Sequence, residues 1–168
     1  MLKLENITVL FDDLKALDHV NMEFMEGKIT GIIGTNGSGK STLMKVMTKL
    51  LKPQEGSVYL DQQLIQDKKK DLFAYRQEVN MVFQNPEQQL FYTIAKDDIR
   101  MALENLGYSK EECDKRVQEA IELMDIKELQ DRPVQYLSYG QKKKVAIGRD
   151  GPRLCYLTCN QSYQGIYL

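Results

Sequence analysis

The stretch "GTNGSGKST", residues 34–42, restricts the fold of this chain more than any other part of its sequence. It fits the spacing G-x-x-x-x-G-K-[ST], and its three glycines let the backbone wrap closely and point N–H groups at an anion. The apolar run "KITGIIG" precedes it and predicts a buried parallel strand. Apolar positions with helical spacing follow in "TLMKVMTKLL". The stretch therefore predicts a phosphate-binding loop between a strand and the N-terminus of a helix.

The residue types in this loop suit a nucleoside triphosphate that carries Mg²⁺. We expect the Lys40 ammonium on the β- and γ-phosphates and the Ser41 hydroxyl on the metal. Loop N–H groups and the positive end of the helix dipole would surround the other phosphate oxygens. The predicted nucleotide-binding residues are Gly34, Thr35, Asn36, Gly37, Ser38, Gly39, Lys40, Ser41 and Thr42. ATP or GTP binding follows, and the motif alone leaves kinases, GTPases, helicases and transporters open.

The order of elements along the chain predicts an α/β core that carries a helical insert. Strands are predicted for "LKLENITVLF", "ALDHVNMEFMEG" and "GSVYLDQQLI", and a further buried strand for "VNMVFQN". From about residue 86 to 136 the pattern is helical, and Ser109 with Glu112 predicts a capping box. The apolar face behind that box consists of Cys113, Val117, Ala120, Ile121 and Met124. We therefore expect one α/β domain with a helical subdomain at about 86–136.

Composition excludes several classes of partner. The formal net charge is −1, with 42% hydrophobic and 28% charged residues, so no overall field attracts nucleic acid or an anionic membrane. No window approaches the roughly 18 apolar residues of a membrane span, so we expect membrane contact only through a partner protein. Three separated cysteines predict free thiols in a reducing cytoplasm.

Four stretches taken together resemble the ATP-binding subunits of ABC transporters. They are Phe11 ahead of "ALDHV", the glycine loop (a Walker A motif), "VFQNPEQQLF" with Gln84, and "LSYGQKKKVAI" at residues 137–147. The resemblance covers about residues 1–147, and the last two stretches are most similar to the ATPases of energy-coupling-factor importers of cobalt, nickel or vitamins. It implies a P-loop NTPase core of the ABC type with a helical subdomain.

The resemblance implies that ATP lies between two such subunits in a head-to-tail dimer. Phe11 would stack on adenine, and Gln84 would act with Lys40 in catalysis and contact Mg²⁺ or the attacking water. The signature motif, which meets the nucleotide of the other subunit, would be Leu137, Ser138, Tyr139, Gly140 and Gln141. Ser138 and Gly140 would donate to that γ-phosphate, and Tyr139, in place of the usual glycine, would point away.

The resemblance also implies a transmembrane partner near Gln84. The chain would then lie on the cytoplasmic face of the cell membrane as a peripheral subunit. We interpret the run Lys142, Lys143 and Lys144 as a solvated helix face.

The family pattern ends sharply after about Ile147. The family places an apolar strand ending in Asp-Glu about 20 residues past the signature, and a switch histidine later. Here that window reads "RDGPRLCYLTCNQSYQ", and Asp150 is the only acid after Asp131. The core is therefore expected to be C-terminally incomplete: a single truncated ABC ATPase domain over residues 1–168 without Walker B carboxylates. Residues 148–168 are interpreted as an off-family tail from a frameshift rather than a genuine new C-terminus.

Three functions stay open at this point. The first is an ATP-hydrolysing subunit that powers an importer of the energy-coupling-factor type. The second is a non-catalytic nucleotide-binding fragment, which the sequence as written fits better. The third is a soluble ABC ATPase without a membrane partner, which "FQNPEQQLF" and the lack of basic character disfavour.

Overall fold

A computed structural model describes residues 1–83, 85–91, 93–150, 155–158 and 164–167. Within these ranges the chain forms two compact units. The first contains Met1–Met81 and the C-terminal strands, and the second begins at Val82 and contains the remaining helices. No helix in the described ranges has the length and apolar character needed to cross a bilayer.

Up to residue 150 the secondary structure follows the predicted order, and two further strands near the C-terminus are not predicted from the sequence. The strands are β1 (Leu2–Phe11), β2 (Leu14–Phe24), β3 (Ile29–Ile32), β4 (Glu55–Leu60), β5 (Gln63–Leu64), β6 (Val79–Val82), β7 (Cys155–Thr158) and β8 (Gln164–Tyr167). The α-helices are α1 (Lys40–Met47), α2 (Lys69–Glu78), α3 (Ala95–Asn105), α4 (Lys110–Leu123) and α5 (Tyr139–Asp150). Short 3₁₀ turns cover Pro86–Gln88, Lys127–Leu129 and Val134–Tyr136.

The first sheet is antiparallel, with the order β2-β1-β4-β5. One face of this sheet is buried. Its buried apolar residues include Leu2, Leu4, Ile7 and Val9 of β1 and Phe24 of β2. A register shift between β1 and β4 falls beside Gly56, which has φ 93°. A Cβ there would lie 2.3 Å from the Asn6 carbonyl oxygen, so only glycine fits this close approach.

Helices α1 and α2 pack in the same unit. Leu43, Val46 and Met47 are buried, as their helical spacing predicts, and Met44 of α1 is buried with them. Leu50, predicted to continue the same apolar face, is 54% exposed because α1 ends at Met47. The buried Tyr75 hydroxyl of α2 donates a hydrogen bond to the Met47 carbonyl oxygen. This bond ties α2 to the end of α1, because a buried carbonyl needs a donor.

The second sheet has the order β3-β8-β7-β6 and differs from expectation. Strand β6 is buried as predicted, but β3 pairs antiparallel with β8, and Ile29 is 73% exposed. The prediction that β3 is a buried parallel strand is therefore wrong. An apolar run shows that a strand forms but not which strand pairs with it, and here the pairing strand comes from the C-terminal hairpin β7–β8. The origin of residues 148–168 stays a prediction.

The second unit has its own helical core, formed by α3, α4 and α5. Ser109 caps α4 by accepting from the Glu112 backbone N–H at 3.3 Å, which is one of the two bonds of the predicted capping box. The Glu112 carboxylate accepts from Arg116 Nε at 2.7 Å. Helix α5 packs closely, since a Cβ built on Gly148 would lie 3.2 Å from Met124 Cγ. Buried residues of this core include Ile99, Leu103, Cys113, Val117, Ala120, Ile121, Ile126 and Val145.

Candidate nucleotide-binding site

The glycine loop turns tightly into α1. Gly37 and Gly39 have φ of 83° and 84°, a left-handed conformation that glycine adopts without steric cost. Gly39 is the N-cap of α1, and a Cβ there would lie 2.4 Å from the Ala16 carbonyl oxygen of β2. Glycine is therefore needed at this position for its dihedral angle and for the approach of β2.

The Lys40 side chain folds back across the loop. Its Nζ donates to the carbonyl oxygens of Gly34 at 2.8 Å and Thr35 at 2.7 Å, and to Ser38 Oγ at 3.3 Å. The Ser38 N–H in turn donates to the Thr35 carbonyl oxygen at 3.2 Å, which closes the turn. The loop thus holds one positive charge at its centre, at the positive end of the α1 dipole.

The surface of the loop is open to a ligand. The five residues from Gly34 to Ser38 are exposed, as is Ser41 in the first turn of α1. A helix leaves its first N–H groups without intrahelical acceptors, and a glycine N-cap has no side chain to accept from them. N–H groups, an ammonium and a hydroxyl at one helix start are the donor set that a magnesium-bound triphosphate requires.

Phe11 lies at the tip of the β1–β2 hairpin. It pairs with Leu14 across the turn and is 48% exposed. Ala16, whose carbonyl approaches Gly39, comes two residues after Leu14 on the same strand. The exposed ring therefore belongs to the end of the hairpin that adjoins the loop, and its stacking on adenine stays a prediction.

The signature motif forms the N-terminus of α5 in the helical unit. The Ser138 N–H donates to Gln141 Oε1 at 2.9 Å, and the Gln141 N–H donates to Ser138 Oγ at 3.3 Å. These reciprocal bonds are a capping box, which the S-x-x-Q spacing of "SYGQ" signals and which sequence reasoning missed. Because the Ser138 oxygen accepts this bond, its own hydrogen remains a donor.

The neighbouring signature residues differ in exposure. Leu137 is buried in the helical core, whereas Tyr139 is 59% exposed. Apart from its chain neighbours and the nearby backbone of its own helix, no heavy atom of the described residues lies within 4 Å of a Cβ built on Gly140. The packing of the described chain therefore does not require glycine at position 140.

The lysine run after the signature is not uniformly solvated. The Lys142 side chain is only 13% exposed, and its Nζ lies 2.5 Å from Glu87 Oε1. The solvated-face interpretation is therefore wrong for Lys142, because a carboxylate from another segment of the same unit covers it. Lys144 does fit that interpretation, with a half-exposed side chain 4.0 Å from Asp125.

Gln84 lies outside the described residues, and its predicted role stays a prediction. The residues on both sides of it take part in hydrogen bonds between a backbone N–H and a side-chain amide oxygen. The Phe83 N–H donates to Gln89 Oε1 at 2.8 Å, and Asn85 Oδ1 accepts from the Glu87 N–H at 3.0 Å. Gln89 is buried, and sequence reasoning did not select it, because only its position after a buried proline turn marks it.

Comparison with known proteins gives consistent matches. The ABC transporter family profile covers residues 17–150. The cobalt import ATP-binding protein CbiO of Salmonella typhimurium is 42% identical over 147 residues, which cover 88% of this chain and 54% of that protein. The energy-coupling factor transporter ATP-binding protein EcfA1 of Mycoplasmopsis synoviae is 39% identical over 150 residues, 88% of this chain and 56% of EcfA1.

A solved structure agrees with these matches. That of cbiO1 from Clostridium perfringens, described as part of the ABC transporter complex cbiONQ, has a TM-score of 0.79 at 36% identity. The superposition covers 89% of this chain and 60% of cbiO1. The chain spans about half the length of the curated relatives it matches. The family profile, these identities and the fold show that this chain belongs to the ABC transporter family, as an ATP-binding domain.

Proposed function

We propose that this chain is the ATP-binding subunit of an importer of the energy-coupling-factor type. The observation that carries the proposal is the loop at residues 34–42, where Lys40 and two left-handed glycines lie at the start of α1. ATP, when bound, supplies a transferable phosphoryl group and the binding energy that drives association. The importer subtype is supported by the names of the relatives, CbiO and EcfA1.

Each residue of the loop has a proposed role toward the nucleotide. Lys40 exchanges its bonds to the loop carbonyls for bonds to the β- and γ-phosphates, which are stronger acceptors because they are charged. The Ser41 hydroxyl ligates Mg²⁺, and loop N–H groups hold the remaining phosphate oxygens. Phe11 covers the adenine. Gln84 completes the predicted set by contacting Mg²⁺ or by hydrogen-bonding the attacking water.

The proposed partners are a second ATPase subunit and a transmembrane subunit. Ser138 and Gly140 are exposed at the capped start of α5. This supports the Ser138 hydroxyl and the Gly140 N–H as a donor pair for the γ-phosphate held by the second subunit. The cbiO1 structure is described as part of a transporter complex, which supports a membrane partner. The chain would then act at the cytoplasmic face of the membrane.

A second candidate function is nucleotide binding without turnover. Hydrolysis needs a carboxylate for the metal and a base for the water. Asp150 is the only acid after Asp131, and the structure places it at the last position of helix α5 rather than at the end of a strand. We therefore propose that the 168-residue chain binds ATP and turns it over slowly or not at all.

Calorimetry with Mg-ATP and a phosphate-release assay on the 168-residue chain test both functions. Lys40→Ala should weaken ATP binding roughly 10-fold to 100-fold, because it removes charge-assisted hydrogen bonds. Lys45→Ala, which removes an exposed lysine from the same helix, is the matched control and should bind normally. Equal binding by Lys40→Ala and wild type would count against the nucleotide site. Turnover that depends on Lys40 would favour the first function, and binding without turnover would favour the second.

A further inference from the structure

Residues 85–91, here called the proline segment, are attached to helix α5 at two points. Near the start of α5, Lys142 Nζ lies 2.5 Å from Glu87 Oε1. Near its end, the Arg149 guanidinium carbon lies 5.3 Å from the centre of the Phe91 ring. Lys142 and Arg149 are seven residues apart and so lie on one face of the helix. Two contacts on one face, about two helical turns apart, set both the position of α5 along the proline segment and its rotation about its own axis.

The proline segment is itself held firmly. Asn85 caps its 3₁₀ turn, Pro86 is buried, and Leu90 packs against the helical core. The Phe91 N–H donates to Oδ1 of Asp98, which is fully buried. Burying a carboxylate costs free energy unless it is hydrogen-bonded. The bond to Asp98 therefore holds the Phe91 backbone, at the end of the segment, in one position. The segment can therefore act as a rigid support.

The ion pair differs from an ordinary surface pair. Exposed pairs contribute little, because water screens them and both side chains lose entropy. Here Lys142 is largely covered while Glu87 stays mostly exposed. Lys142 also lies one helical turn after Ser138, and its N–H donates to the Ser138 carbonyl oxygen at 2.8 Å in the first turn of α5. A displacement of Glu87 would therefore move Lys142 and, through it, the helical turn that carries the signature motif.

We propose that Glu87 and Lys142 are positioning residues for the signature motif. Their ion pair holds the first turn of α5 against the proline segment, so the direction of the Ser138 hydroxyl and the Gly140 N–H follows that segment. The inference rests on the proposed function, in which these two donors meet the nucleotide of a second subunit. Since the segment starts one residue after Gln84, the pair also links the two predicted nucleotide-contacting stretches of the helical unit.

Hydrogen–deuterium exchange on the full chain tests the link without any nucleotide. Glu87→Gln and Lys142→Gln should each raise exchange of the α5 first turn and of the proline segment, by roughly five-fold for an ion pair of this kind. The double variant should add nothing further, since both changes break one contact. The charge-reversed pair, Glu87→Lys with Lys142→Glu, should restore protection. Lys144→Gln, with the same charge change on the same helix, is the matched control.

Several exchange results would overturn the link. The first is unchanged exchange of the α5 first turn in Glu87→Gln, or of the proline segment in Lys142→Gln. The second is an additive increase in exchange in the double variant. The third is an increase in exchange in Lys144→Gln as large as in the two single variants. Glu87 is mostly exposed, so Glu87→Gln and the reversed pair decide the question even where Lys142→Gln fails to fold.

A second measurement separates this inference from the proposed function. Sedimentation with Mg-ATP should show that each single variant self-associates more weakly than wild type, by roughly the same five-fold factor as the change in exchange. The ATP affinity should be unchanged, and the charge-reversed pair should recover wild-type self-association. Self-association equal to wild type in the single variants would overturn the positioning role. Absence of ATP-dependent association in the wild-type chain would count against the proposed pairing of subunits, and the exchange data would still decide the link.

Discussion

At the scale of single residues, two glycines of α5 have opposite requirements. A Cβ at Gly148 would press on Met124, at 3.2 Å, and would come within 3.6 Å of Ile99 Cδ1. A Cβ at Gly140 meets none of the surrounding described residues within 4 Å. Packing therefore explains the first glycine. The second lies in a helix, where glycine is unfavourable, and packing gives no reason for it, so its proposed role is to leave its N–H accessible to an external ligand.

Gly140→Ala should therefore separate stability from function. We expect the free energy of unfolding to rise by up to about 1 kcal/mol, because alanine is the better helix former. ATP-dependent self-association should fall about ten-fold or more, since a methyl group would obstruct a charge-assisted hydrogen bond. Gly148→Ala is the comparison and should stabilise the chain less than Gly140→Ala, because crowding against Met124 offsets the gain in helix propensity. Urea unfolding and sedimentation measure the two effects, and normal association of Gly140→Ala would contradict the assignment.

The residues of the site differ in how far sequence could identify them. The loop residues were predictable because spacing and chemistry coincide in one short stretch. The solvated-face prediction fails for Lys142 because its partner Glu87 lies 55 residues away, and one sequence does not show which distant carboxylate covers a lysine. Family resemblance identifies Gln141, whereas the S-x-x-Q spacing alone is enough to predict its capping bond to Ser138.

At the scale of elements, the end of α1 is held by a covered ion pair. Lys49, with a side chain only 7% exposed, lies 2.6 Å from Asp67, and Lys52 lies 3.3 Å from the other carboxylate oxygen. The hydrogen bond from Lys49 lowers the pKa of Asp67 below its usual value, with burial opposing and Lys52 assisting. Because the folded pKa is lowered, the stabilisation is present above the unfolded pKa and is lost as pH falls through the folded pKa.

Unfolding free energies at pH 6 and pH 3 should show this loss. Asp67→Asn should reduce the drop in stability between the two pH values, by at most about 1 kcal/mol since the carboxylate is partly exposed and screened. Asp13→Asn, at an exposed hairpin position, should leave the drop as in wild type. An Asp67→Asn chain with the full wild-type drop would show that the pair does not support the end of α1.

At the scale of the whole molecule, element order was easier to predict than pairing. Turn residues and periodicity act locally, so strands such as β1 and helices such as α4 followed from sequence. The second sheet did not, because β3 and β8 are separated by more than 130 residues and their antiparallel pairing depends on the path between them. A local apolar pattern does not show whether the neighbouring strand runs parallel or antiparallel.

The helical unit should protect Cys113 from reagents until the unit opens. Its thiol is buried, and burial raises the pKa, with Glu104 adding to the effect, so little of the reactive thiolate forms near neutral pH. In a Cys155→Ser, Cys159→Ser chain, labelling of the remaining thiol should be slow in buffer and should accelerate along the urea unfolding curve. Cys113→Ala in that background is the blank. Because access requires α4 to leave its neighbours, the labelling midpoint should coincide with the loss of helix, and rapid labelling of the native chain would show that this core opens independently of global unfolding.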